Sequence, residues 1–417
     1  MSVPPVEVIA KQSRQAARQL ASAPEALRNL ALAKMAAALE SVKTRVLEVN
    51  ALEIIKARDE GQSDAMIKRL TIDDKTFLYL LTRLQKVAQL PDPLNRILSG
   101  HTNPNGLRVC KKSVPLGVIG IIYESRPNVT TDAAGVCIKS GNAVILRGGS
   151  EALLTNTLLT DAMIAGAVDA GLPQHALQII RTPGHEAVSE LLKMDEYIDV
   201  LIPRGGKGLI KRIAEGTRIP VIKHYDGICH LYIAADANPD QAVAIAVNSK
   251  CQSVQVCNAL ETLLVDKQCA EQLLPLLKTA FGSNRIELRG CDATQKLLPG
   301  IAAATEDDWH TEYLAPILSI KIVDGIQSAI AHINYYGSGH TDGIVTQSLN
   351  MAQQFEQQVD SASVMINAST RLSGGGDYGL GSVVGISTDK IHVRGPVGPD
   401  QLTTYKWVAY GDGHLRA

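Results

Sequence analysis

Apolar residues recur with a helical period at the start of the chain. Leu27, Leu30 and Ala31 lie on one face of this pattern, and alanine is frequent over about the first 90 residues. The segment Ser22-Ala-Pro-Glu25 has the form of a capping box, in which a serine hydroxyl accepts a helix amide and the glutamate reaches back. We therefore expect a helical N-terminal region that ends before Pro91.

From residue 115 onwards the pattern changes to short, continuous apolar runs that alternate with helical segments. This alternation is typical of parallel sheets covered by helices. The runs form two series, which separate near residues 224–229, so we predict an α/β fold with two parallel, Rossmann-like domains. The predicted strands are 118–123, 143–147, 177–181, 198–202 and 220–222 in the first series, and 231–234, 261–265, 286–288, 318–323, 343–345 and 364–367 in the second.

The composition narrows the classes of function. The 417 residues carry 41 Lys and Arg against 42 Asp and Glu, and only 4% are aromatic, so nucleic acid is not an expected partner. No apolar run reaches the ~18 residues of a membrane span, and the N-terminus lacks a secretory signal pattern. Seven scattered cysteines without a CxxC pair are typical of reduced thiols, so we expect a cytoplasmic protein.

Two glycine pairs follow predicted strands and precede predicted helices. They lie in Arg147–Gly149 and Arg204–Gly206. Glycines let the backbone approach a phosphate, and the free amides of a helix start attract anions. Each turn is also compatible with an ordinary strand-to-helix connection beside a solvated arginine. The chain has no GxGxxG fingerprint and no P-loop, so these turns do not decide between the two interpretations.

Cysteine and histidine supply the other candidates for chemistry. Cys257 lies just before the apolar run ETLLV, and a thiolate there would be a strong nucleophile. Many cysteines are only small buried hydrophobes, and Cys251 is a rival. His332, His340 and Asp342 form a second cluster, but their spacing matches no zinc motif. We expect no bound metal, and a structural or substrate-binding role for these histidines.

Seven stretches of the chain carry the most specific motifs. They are PLGVIGIIYESRPNVT at 115–130, GNAVILRGGSEALLTN at 141–156, LIPRGGKGLI at 201–210, CNALETLLV at 257–265, AHINYYGSGHTDGIVT at 331–346, NASTRLSGGGDYGLG at 367–381 and RGPVGPDQLTTYKW at 394–407. Together they resemble the aldehyde dehydrogenase superfamily and, within it, the gamma-glutamyl phosphate reductases. The resemblance covers essentially the whole chain, and it implies an aldehyde dehydrogenase-like fold with a small oligomerisation element.

The resemblance implies a cofactor-binding domain (residues 1–226), a catalytic domain (227–393) and a C-terminal tail (394–417). The tail and a strand within 103–116 are expected to form the oligomerisation element of a homo-oligomer, the tail pairing with this strand across a subunit interface. The implied reaction is the NADPH-dependent reduction of L-glutamyl 5-phosphate to L-glutamate 5-semialdehyde, the second step of proline biosynthesis. The small-molecule substrate would come from glutamate 5-kinase, which is a candidate partner.

By the same resemblance, Cys257 is the thiol that forms a thioester with the substrate. The preceding CQSVQV departs from the more polar lead-in of the family, which leaves Cys251 as an alternative. The Cys257 amide and Asn128 are expected to stabilise the oxyanion, with Arg126 as a competitor for the second place. The side chains expected to bind the substrate are Arg126, Ser369 and Arg371.

For the cofactor, the resemblance places Gly205 and Gly206 under the pyrophosphate and Arg147 at the adenosine ribose. Glu312, in EYLAP, matches the glutamate that holds the nicotinamide ribose, although Ala315 replaces the usual glycine there. The superfamily often has an acidic residue three positions after the basic one. Ser150 stands there in this chain, which makes room for a 2′-phosphate and favours NADPH over NADH.

One absence also bears on the reaction. Relatives that oxidise aldehydes carry a glutamate that activates water for hydrolysis of the thioester. The comparable stretch, VIKHYDGICH at 221–230, contains none. A reductase of an acyl phosphate must avoid that hydrolysis, so the missing base favours the reductive direction. His224 or Asp226 is a candidate substitute for it.

Overall fold

The structure, a computed structural model, describes residues 4–416 and divides the chain into two units. Unit 1 comprises the chain up to Lys223, together with Gly379–Ile386 and the residues from Ile391 onwards. Unit 2 comprises His224–Tyr378 and Ser387–Lys390. In sequence, unit 2 is therefore an insertion within unit 1.

Three details differ from the predicted domain division. The boundary lies after Lys223 rather than after residue 226. Gly379–Ile386 belongs to unit 1, although the prediction assigns it to the catalytic domain. The tail is likewise part of unit 1 rather than a separate segment, because Val397 and Leu402 lie in the same buried core as the N-terminal helices. A shared core, rather than the order of the motifs, sets the limits of the unit.

The N-terminal part of unit 1 is helical, as its apolar period predicts. The capping-box prediction is wrong, because Pro24 is the N-cap of the second helix and no side chain caps it. Ser22 lies outside the helix, and its hydroxyl instead donates to the Gln19 carbonyl at 2.9 Å. The five helices are Val6–Leu20 (α1), Glu25–Ser41 (α2), Lys43–Asp59 (α3), Asp64–Leu70 (α4) and Asp74–Gln89 (α5).

A four-stranded parallel sheet forms the centre of unit 1. The elements in chain order are β1 (Ile97–Thr102), β2 (Arg108–Pro115), β3 (Val118–Tyr123), α6 (Asn128–Lys139), β4 (Ala143–Arg147), α7 (Leu153–Asp169), β5 (Leu177–Ile179), α8 (His185–Leu191), β6 (Val200–Arg204) and α9 (Lys207–Gly216). The central sheet has the order β5-β4-β3-β6. Helix α6 is buried on nearly all sides, so it lacks the amphipathic period by which a helix is predicted. The strand predicted at 220–222 is reduced to one bridge between Leu201 and Val221.

Unit 2 is built on a seven-stranded sheet with the order β10-β9-β11-β8-β7-β12-β13. Its strand pairs are parallel, which confirms the second predicted series. The strands are Cys229–Ile233 (β7), Leu260–Asp266 (β8), Glu287–Gly290 (β9), Ala302–Ala303 (β10), Ile317–Val323 (β11), Thr341–Val345 (β12) and Ser363–Ile366 (β13). The helices are Pro239–Cys251 (α10), Ala270–Ser283 (α11), Asp292–Leu297 (α12), Glu306–Trp309 (α13), Gly325–Tyr336 (α14) and Leu349–Gln358 (α15).

The end of the chain adds three more strands. β14 (Gly385–Ser387) and β15 (Gly395–Val397) form a two-stranded sheet, and β16 (Thr403–Tyr410) joins β1 and β2 in an antiparallel sheet of order β1-β2-β16. Within this chain the tail pairs with β2, and its expected pairing across a subunit interface stays a prediction. Among residues 4–416, no helix is both long and apolar enough to cross a membrane.

Candidate active site

The carboxyl ends of β3, β4 and β6 lie side by side in the sheet of unit 1. Three segments follow these strand ends, and together we call them the strand-end surface: Glu124–Asn128, Gly148–Glu151 and Gly205–Gly206. Neighbouring parallel strands end at the same edge of a sheet, where α/β folds usually bind their ligands. The glycine pairs predicted from the sequence therefore occupy one common surface.

A carboxylate caps the glycine turn after β6. Gly206 is the N-cap of α9, and its amide donates to Oε2 of Glu124 at 2.9 Å. A Cβ on Gly205 would lie 2.4 Å from the same oxygen, whereas one on Gly206 would meet no atom within 4 Å. The start of α9 thus binds an anionic oxygen in the way expected of a phosphate site. Glu124 was not predicted from the sequence, where its only distinguishing feature is its position directly after β3.

Arg147 is turned inward at the end of β4. Its Nη1 donates to the Gly148 carbonyl at 2.7 Å, and its Nη2 donates to the carbonyls of Pro183 and Gly184 at 2.8 and 3.1 Å. Burial lowers the pKa of the guanidinium, although Glu151 opposes the shift. Arg147 thus ties two loops together, and its expected contact with a ribose stays a prediction.

Glu151 is a second carboxylate that the sequence analysis missed. Its Oε1 accepts from the Ser125 amide at 2.7 Å and from the Ser125 hydroxyl at 2.9 Å. Ser125 has φ +42°, a left-handed conformation that is strained for a residue with a side chain, and Glu151 stabilises it. Ser150 itself is exposed. The carboxylate absent at Ser150 is therefore present one position later, held against the turn after β3.

Asn128 and Arg126 also lie on the strand-end surface. Asn128 is half-buried at the start of α6, and its amide makes a long contact of 3.5 Å with Asp132. Arg126 is exposed. Their expected roles at the oxyanion and the substrate stay predictions.

In unit 2, Cys257 lies in the turn that joins α10 to β8, and it is half-buried. Its carbonyl accepts from Sγ of Cys229 at 3.2 Å. A Cβ on Gly227 would lie 1.8 Å from that carbonyl oxygen, so only glycine fits at position 227. The turn is thus fixed by a close backbone approach, which leaves the Cys257 side chain on a rigid support.

The other cysteines of this region are poorer nucleophiles. Cys251 is the last residue of α10, and burial raises the pKa of its thiol against the opposing charge of Lys250. Burial also places the pKa of Cys229 well above its usual range, and it raises that of Cys269 to about 11. A raised pKa keeps a thiol protonated and unreactive. Burial therefore counts against Cys251 as the nucleophile, and the role of Cys257 stays a prediction.

Two imidazoles accompany Cys257. One side-chain ligand atom from each of His224, Cys257 and His340 lies within 4.8 Å of those of the other two. The His224 and His340 rings contact each other edge to face, with centroids 5.5 Å apart. Burial lowers the pKa of His340 to about 4, so this imidazole is neutral at pH 7. The sequence analysis named both histidines but did not place either beside the thiol.

The histidine–aspartate cluster suggested by the sequence is separated in the structure. Asp342 accepts from the backbone amide of His230 and contacts its Nδ1 at 2.9 Å, while His332 contacts Lys321 and Trp309. Only His340 of the predicted trio joins the cysteine. The three residues have different neighbours because His332 lies on α14, His340 directly precedes β12, and Asp342 lies within β12 beside His230 of β7.

Arg371 supplies a positive charge to the same centre. Burial lowers the pKa of its guanidinium, the nearby Cys257 side chain opposes this shift, and its Nε donates to the Gln252 side chain at 2.9 Å. The Asn258 amide donates to the Arg371 carbonyl at 3.2 Å. We call His224, Cys257, His340 and Arg371 the cysteine centre.

Ser369 makes hydrogen bonds that hold the backbone of this centre in place. It is buried, its hydroxyl oxygen accepts from the Arg371 amide, and it contacts the hydroxyl of Ser249 at 3.2 Å. These bonds fix the short 3₁₀ turn Thr370–Leu372 on α10. The contacts of Ser369 therefore position Arg371, and direct binding of substrate by Ser369 stays a prediction.

Glu312 is held near the same turn by a buried ion pair. Its Oε1 accepts from the Gly227 amide at 2.9 Å. Two residues later, the amide of Leu314 donates to Oε1 of Glu261, which is fully buried and paired with Lys250. Burial raises the pKa of Glu261 to about 7, and Lys250 opposes the shift. The pair links α10, β8 and the Glu312 segment, and the sequence analysis did not identify it.

The comparisons with known proteins agree with this arrangement. The model of the aldehyde dehydrogenase family matches residues 3–302 and 297–379. A gamma-glutamyl phosphate reductase from Thermotoga maritima is 37% identical over 99% of this chain and 100% of its own, with a TM-score of 0.97. A gamma-glutamyl phosphate reductase from Saccharomyces cerevisiae is 30% identical over 100% of both chains, with a TM-score of 0.55.

A more distant protein shares the fold with this chain, without showing that it shares the chemistry. An acetylating aldehyde dehydrogenase from Geobacillus thermoglucosidasius is 20% identical over 99% of this chain and 97% of its own, with a TM-score of 0.69. At that identity, the likeness concerns the fold alone.

Proposed function

The chain belongs to the aldehyde dehydrogenase family, and we propose that it reduces L-glutamyl 5-phosphate to L-glutamate 5-semialdehyde with NADPH, as in the second step of proline biosynthesis. The observation that carries the proposal is the full-length similarity to the reductase from Thermotoga maritima, at 37% identity. The cysteine centre supports it, since it combines a thiol, a guanidinium and two imidazoles in one place.

The strand-end surface offers a fit for the dinucleotide. Gly206 has an amide that already binds an anionic oxygen and open space above its Cα, so the Gly205-Gly206 turn would hold the pyrophosphate. Ser150 is exposed and uncharged, which suits a 2′-phosphate and supports NADPH over NADH. Glu312 would hold the nicotinamide ribose. When bound, the nicotinamide supplies the hydride.

Cys257 begins the reaction as a thiolate, which the charge of Arg371 stabilises. Its sulfur attacks the γ-carbonyl carbon of the acyl phosphate, and the Cys257 amide stabilises the tetrahedral oxyanion. The C–O bond to phosphate then breaks, phosphate leaves with the electron pair, and a thioester remains on Cys257. After reduction, the thiohemiacetal oxyanion collapses, releases the semialdehyde and restores the thiolate.

Residues 221–230 contain no glutamate that would activate water against the thioester. Water is a poor nucleophile without a positioned base, whose contribution is about 10²–10⁴-fold. Phosphate is already anionic, and the pocket that releases it in the forward direction also positions it in reverse. Arg371 is the candidate in unit 2 for this pocket.

The test is NADP reduction with the semialdehyde, followed with and without phosphate. Without phosphate, we expect a burst of about one NADPH per active site and then a near-arrest. Further turnover would require water to hydrolyse the thioester, and this step lacks the positioned base that contributes ~10²–10⁴-fold. Phosphate should restore steady turnover. Sustained turnover to glutamate in phosphate-free buffer would instead identify His224 or Asp226 as a base and favour an oxidising dehydrogenase. Consumption of acyl phosphate without NADPH oxidation would indicate a cysteine acyltransferase.

The antiparallel sheet supports assembly into a homo-oligomer. β16 is an edge strand, and Trp407 and Tyr405 on it are 58% and 48% exposed. An exposed edge strand with aromatic residues is a surface suited to pairing with another copy. Trp407→Glu should shift the mass measured by light scattering towards the monomer, and Leu415→Glu, outside the sheet, should not. Coupling to glutamate 5-kinase and a cytoplasmic location stay predictions.

A further inference from the structure

We propose that His224, Cys257 and His340 form a zinc site, at which Zn²⁺ reversibly blocks the nucleophile. The inference goes beyond the proposed function, which needs no metal. Its basis is the grouping of one thiol and two imidazoles, with ligand atoms within 4.8 Å of one another, inside one unit of the structure.

The donor set fits zinc better than other common divalent ions. One thiolate and two imidazoles are borderline-soft ligands, which Zn²⁺ binds tetrahedrally at about 2.0–2.3 Å. Ligand atoms in such a site are about 3.5 Å apart, so side-chain movements of about 1 Å would close it. Three protein ligands leave a fourth position for water. Magnesium and calcium prefer oxygen ligands and are not expected here.

A chain of hydroxyl groups prepares His340 as a ligand. The Ser373 hydroxyl donates its single proton to the Thr370 carbonyl at 2.9 Å, so in its 2.8 Å contact with Thr341 it must accept. Thr341 has then used its own proton, and in its 2.9 Å contact with the ring of His340 it must accept from Nδ1–H. The order of donors therefore fixes the tautomer of His340.

This tautomer leaves the lone pair on Nε2. The Nε2 atom is buried and has no hydrogen-bond partner among the described residues. A buried acceptor without a partner is unfavourable, and a metal ion would satisfy it. Histidine ligands of metals commonly donate their other ring nitrogen in this way, which fixes the ring and raises its basicity. Thr341 and Ser373 thus act as positioning residues for the proposed site.

Binding would use the ionised form of the thiol. Cys257 binds as the same thiolate that attacks the substrate, both imidazoles bind as neutral ligands, and no bond is oxidised or reduced. Since the same sulfur must attack the substrate, a bound Zn²⁺ excludes acylation. Removal of the metal by a chelator returns the thiol unchanged.

The experiment uses the full chain, reduced and freed of metal with a chelator, and titrates it with Co²⁺ and then Zn²⁺. We expect one Co²⁺ per chain, with the thiolate-to-cobalt absorption and tetrahedral d–d bands that Zn²⁺ abolishes. Cys257→Ala should lose the thiolate band, and His224→Ala and His340→Ala should weaken Zn²⁺ binding by ~10-fold or more. Cys251→Ala and the exposed His310→Ala are the matched controls and should bind normally.

Thr341→Val tests the hydroxyl chain without removing a ligand. It should weaken Zn²⁺ binding by ~10-fold while the cobalt spectrum keeps its thiolate band. A parallel measurement maps alkylation of each cysteine by iodoacetamide, in which Zn²⁺ should protect Cys257 and EDTA should restore its reactivity. Thermal unfolding of each variant confirms that it is folded.

The proposal is overturned if the folded wild-type chain shows no saturable Co²⁺ or Zn²⁺ binding. It is equally overturned if the thiolate band survives Cys257→Ala, or if Cys251→Ala removes it. These readouts do not depend on turnover. Reductase activity measured in chelator therefore decides the proposed function separately from the metal site.

Discussion

The strand-end surface of unit 1 and the cysteine centre of unit 2 are constructed in opposite ways. In the first, exposed or half-buried carboxylates hold backbone amides, as Glu124 does at Gly206 and Glu151 does at Ser125. In the second, the candidate reactive side chains lie on turns, and buried groups such as the ion pair of Lys250 and Glu261 hold these turns in place.

The difference is what the proposed function predicts for the two regions. A surface that binds and releases a large anionic ligand benefits from weak, replaceable contacts, because an exposed charge contributes little to stability. A centre that forms a covalent bond benefits from groups that keep one geometry. We therefore expect substitutions in the cysteine centre to have large effects and those on the strand-end surface to have small ones.

The largest effect is expected for Cys257→Ser. A serine hydroxyl ionises far less readily than a thiol, so reduction should fall by at least about 10³-fold while NADPH binding, measured by fluorescence titration, is kept. Cys251→Ser serves as the control and should retain most activity. If instead Cys251→Ser abolished turnover, the nucleophile would have to be reassigned.

Lys250→Met should be the most damaging change for stability. It leaves Glu261 buried without its partner, and breaking such a pair costs about 3–5 kcal/mol in urea unfolding. The double variant Lys250→Met/Glu261→Leu should recover most of the loss. An equal loss in both variants would show that packing, rather than charge, is what the pair supplies.

The same pair predicts a pH dependence with a definite sign. The pKa of Glu261 is about 7 in the folded chain, above its ordinary value of 4.5. As the pH rises above 4.5, the unfolded state ionises first, so the contribution of Glu261 to stability falls until the folded pKa is passed. Without Lys250 the pKa of Glu261 in the folded chain should be higher, so the fall in stability should continue to a higher pH. Glu261→Gln should remove this component from unfolding curves measured between pH 4.5 and 8, and a variant whose curve keeps the wild-type slope would contradict the assignment.

A smaller effect is expected for Ser150→Glu on the strand-end surface. A carboxylate there would repel a 2′-phosphate, so the ratio of kcat/KM for NADPH to that for NADH should fall roughly tenfold. Ser150→Gln has similar size without the charge and should change the ratio little. An unchanged ratio in both would mean that the 2′-phosphate is recognised by other residues, such as Lys207 or Lys211.

The smallest effect is expected for Glu124→Gln. The carboxamide oxygen of the new side chain can still accept from the Gly206 backbone amide. The negative charge that competes with the pyrophosphate is removed, so the KM for NADPH should fall about 2–5-fold. Glu215→Gln, at the other end of α9, is the control. A higher KM would show that Glu124 helps to bind the cofactor rather than competing with it.

The sequence predicted the elements well where one periodic signal dominated. β3 and β4 have the predicted bounds, because their residues are apolar without interruption. The helix α6 was missed because burial on nearly all sides removes any amphipathic period. The resemblance did name a strand within 103–116 as the partner of the tail, but it placed this pairing across a subunit interface. The pairing of residues 403–410 with 108–115 inside one chain has no distinctive local sequence pattern.

For the candidate site, the sequence identified residue types but not their contacts. Cys257 followed from a motif, whereas the hydroxyl chain from Thr341 to Ser373 joins residues 32 positions apart through single protons. Glu124 and Glu151 act on backbone amides of other loops, and a carboxylate that accepts from an amide has no distinctive sequence pattern. Folding alone brings these groups together.

The return of the chain to unit 1 has a consequence for the order of events during synthesis. Chains emerge from the ribosome N-terminus first, so the whole of His224–Tyr378 is made before β16 exists. Until then one edge of β2 has no paired strand. The buried side chain of Asn142 also lacks one acceptor, the carbonyl of Leu402, to which it donates at 2.8 Å. A chain interrupted anywhere before residue 402 therefore lacks the strand that pairs with β2 and one hydrogen bond of the Asn142 amide, which still donates to the Ser140 hydroxyl. The last residues therefore complete unit 1 only after the whole of His224–Tyr378 has been made.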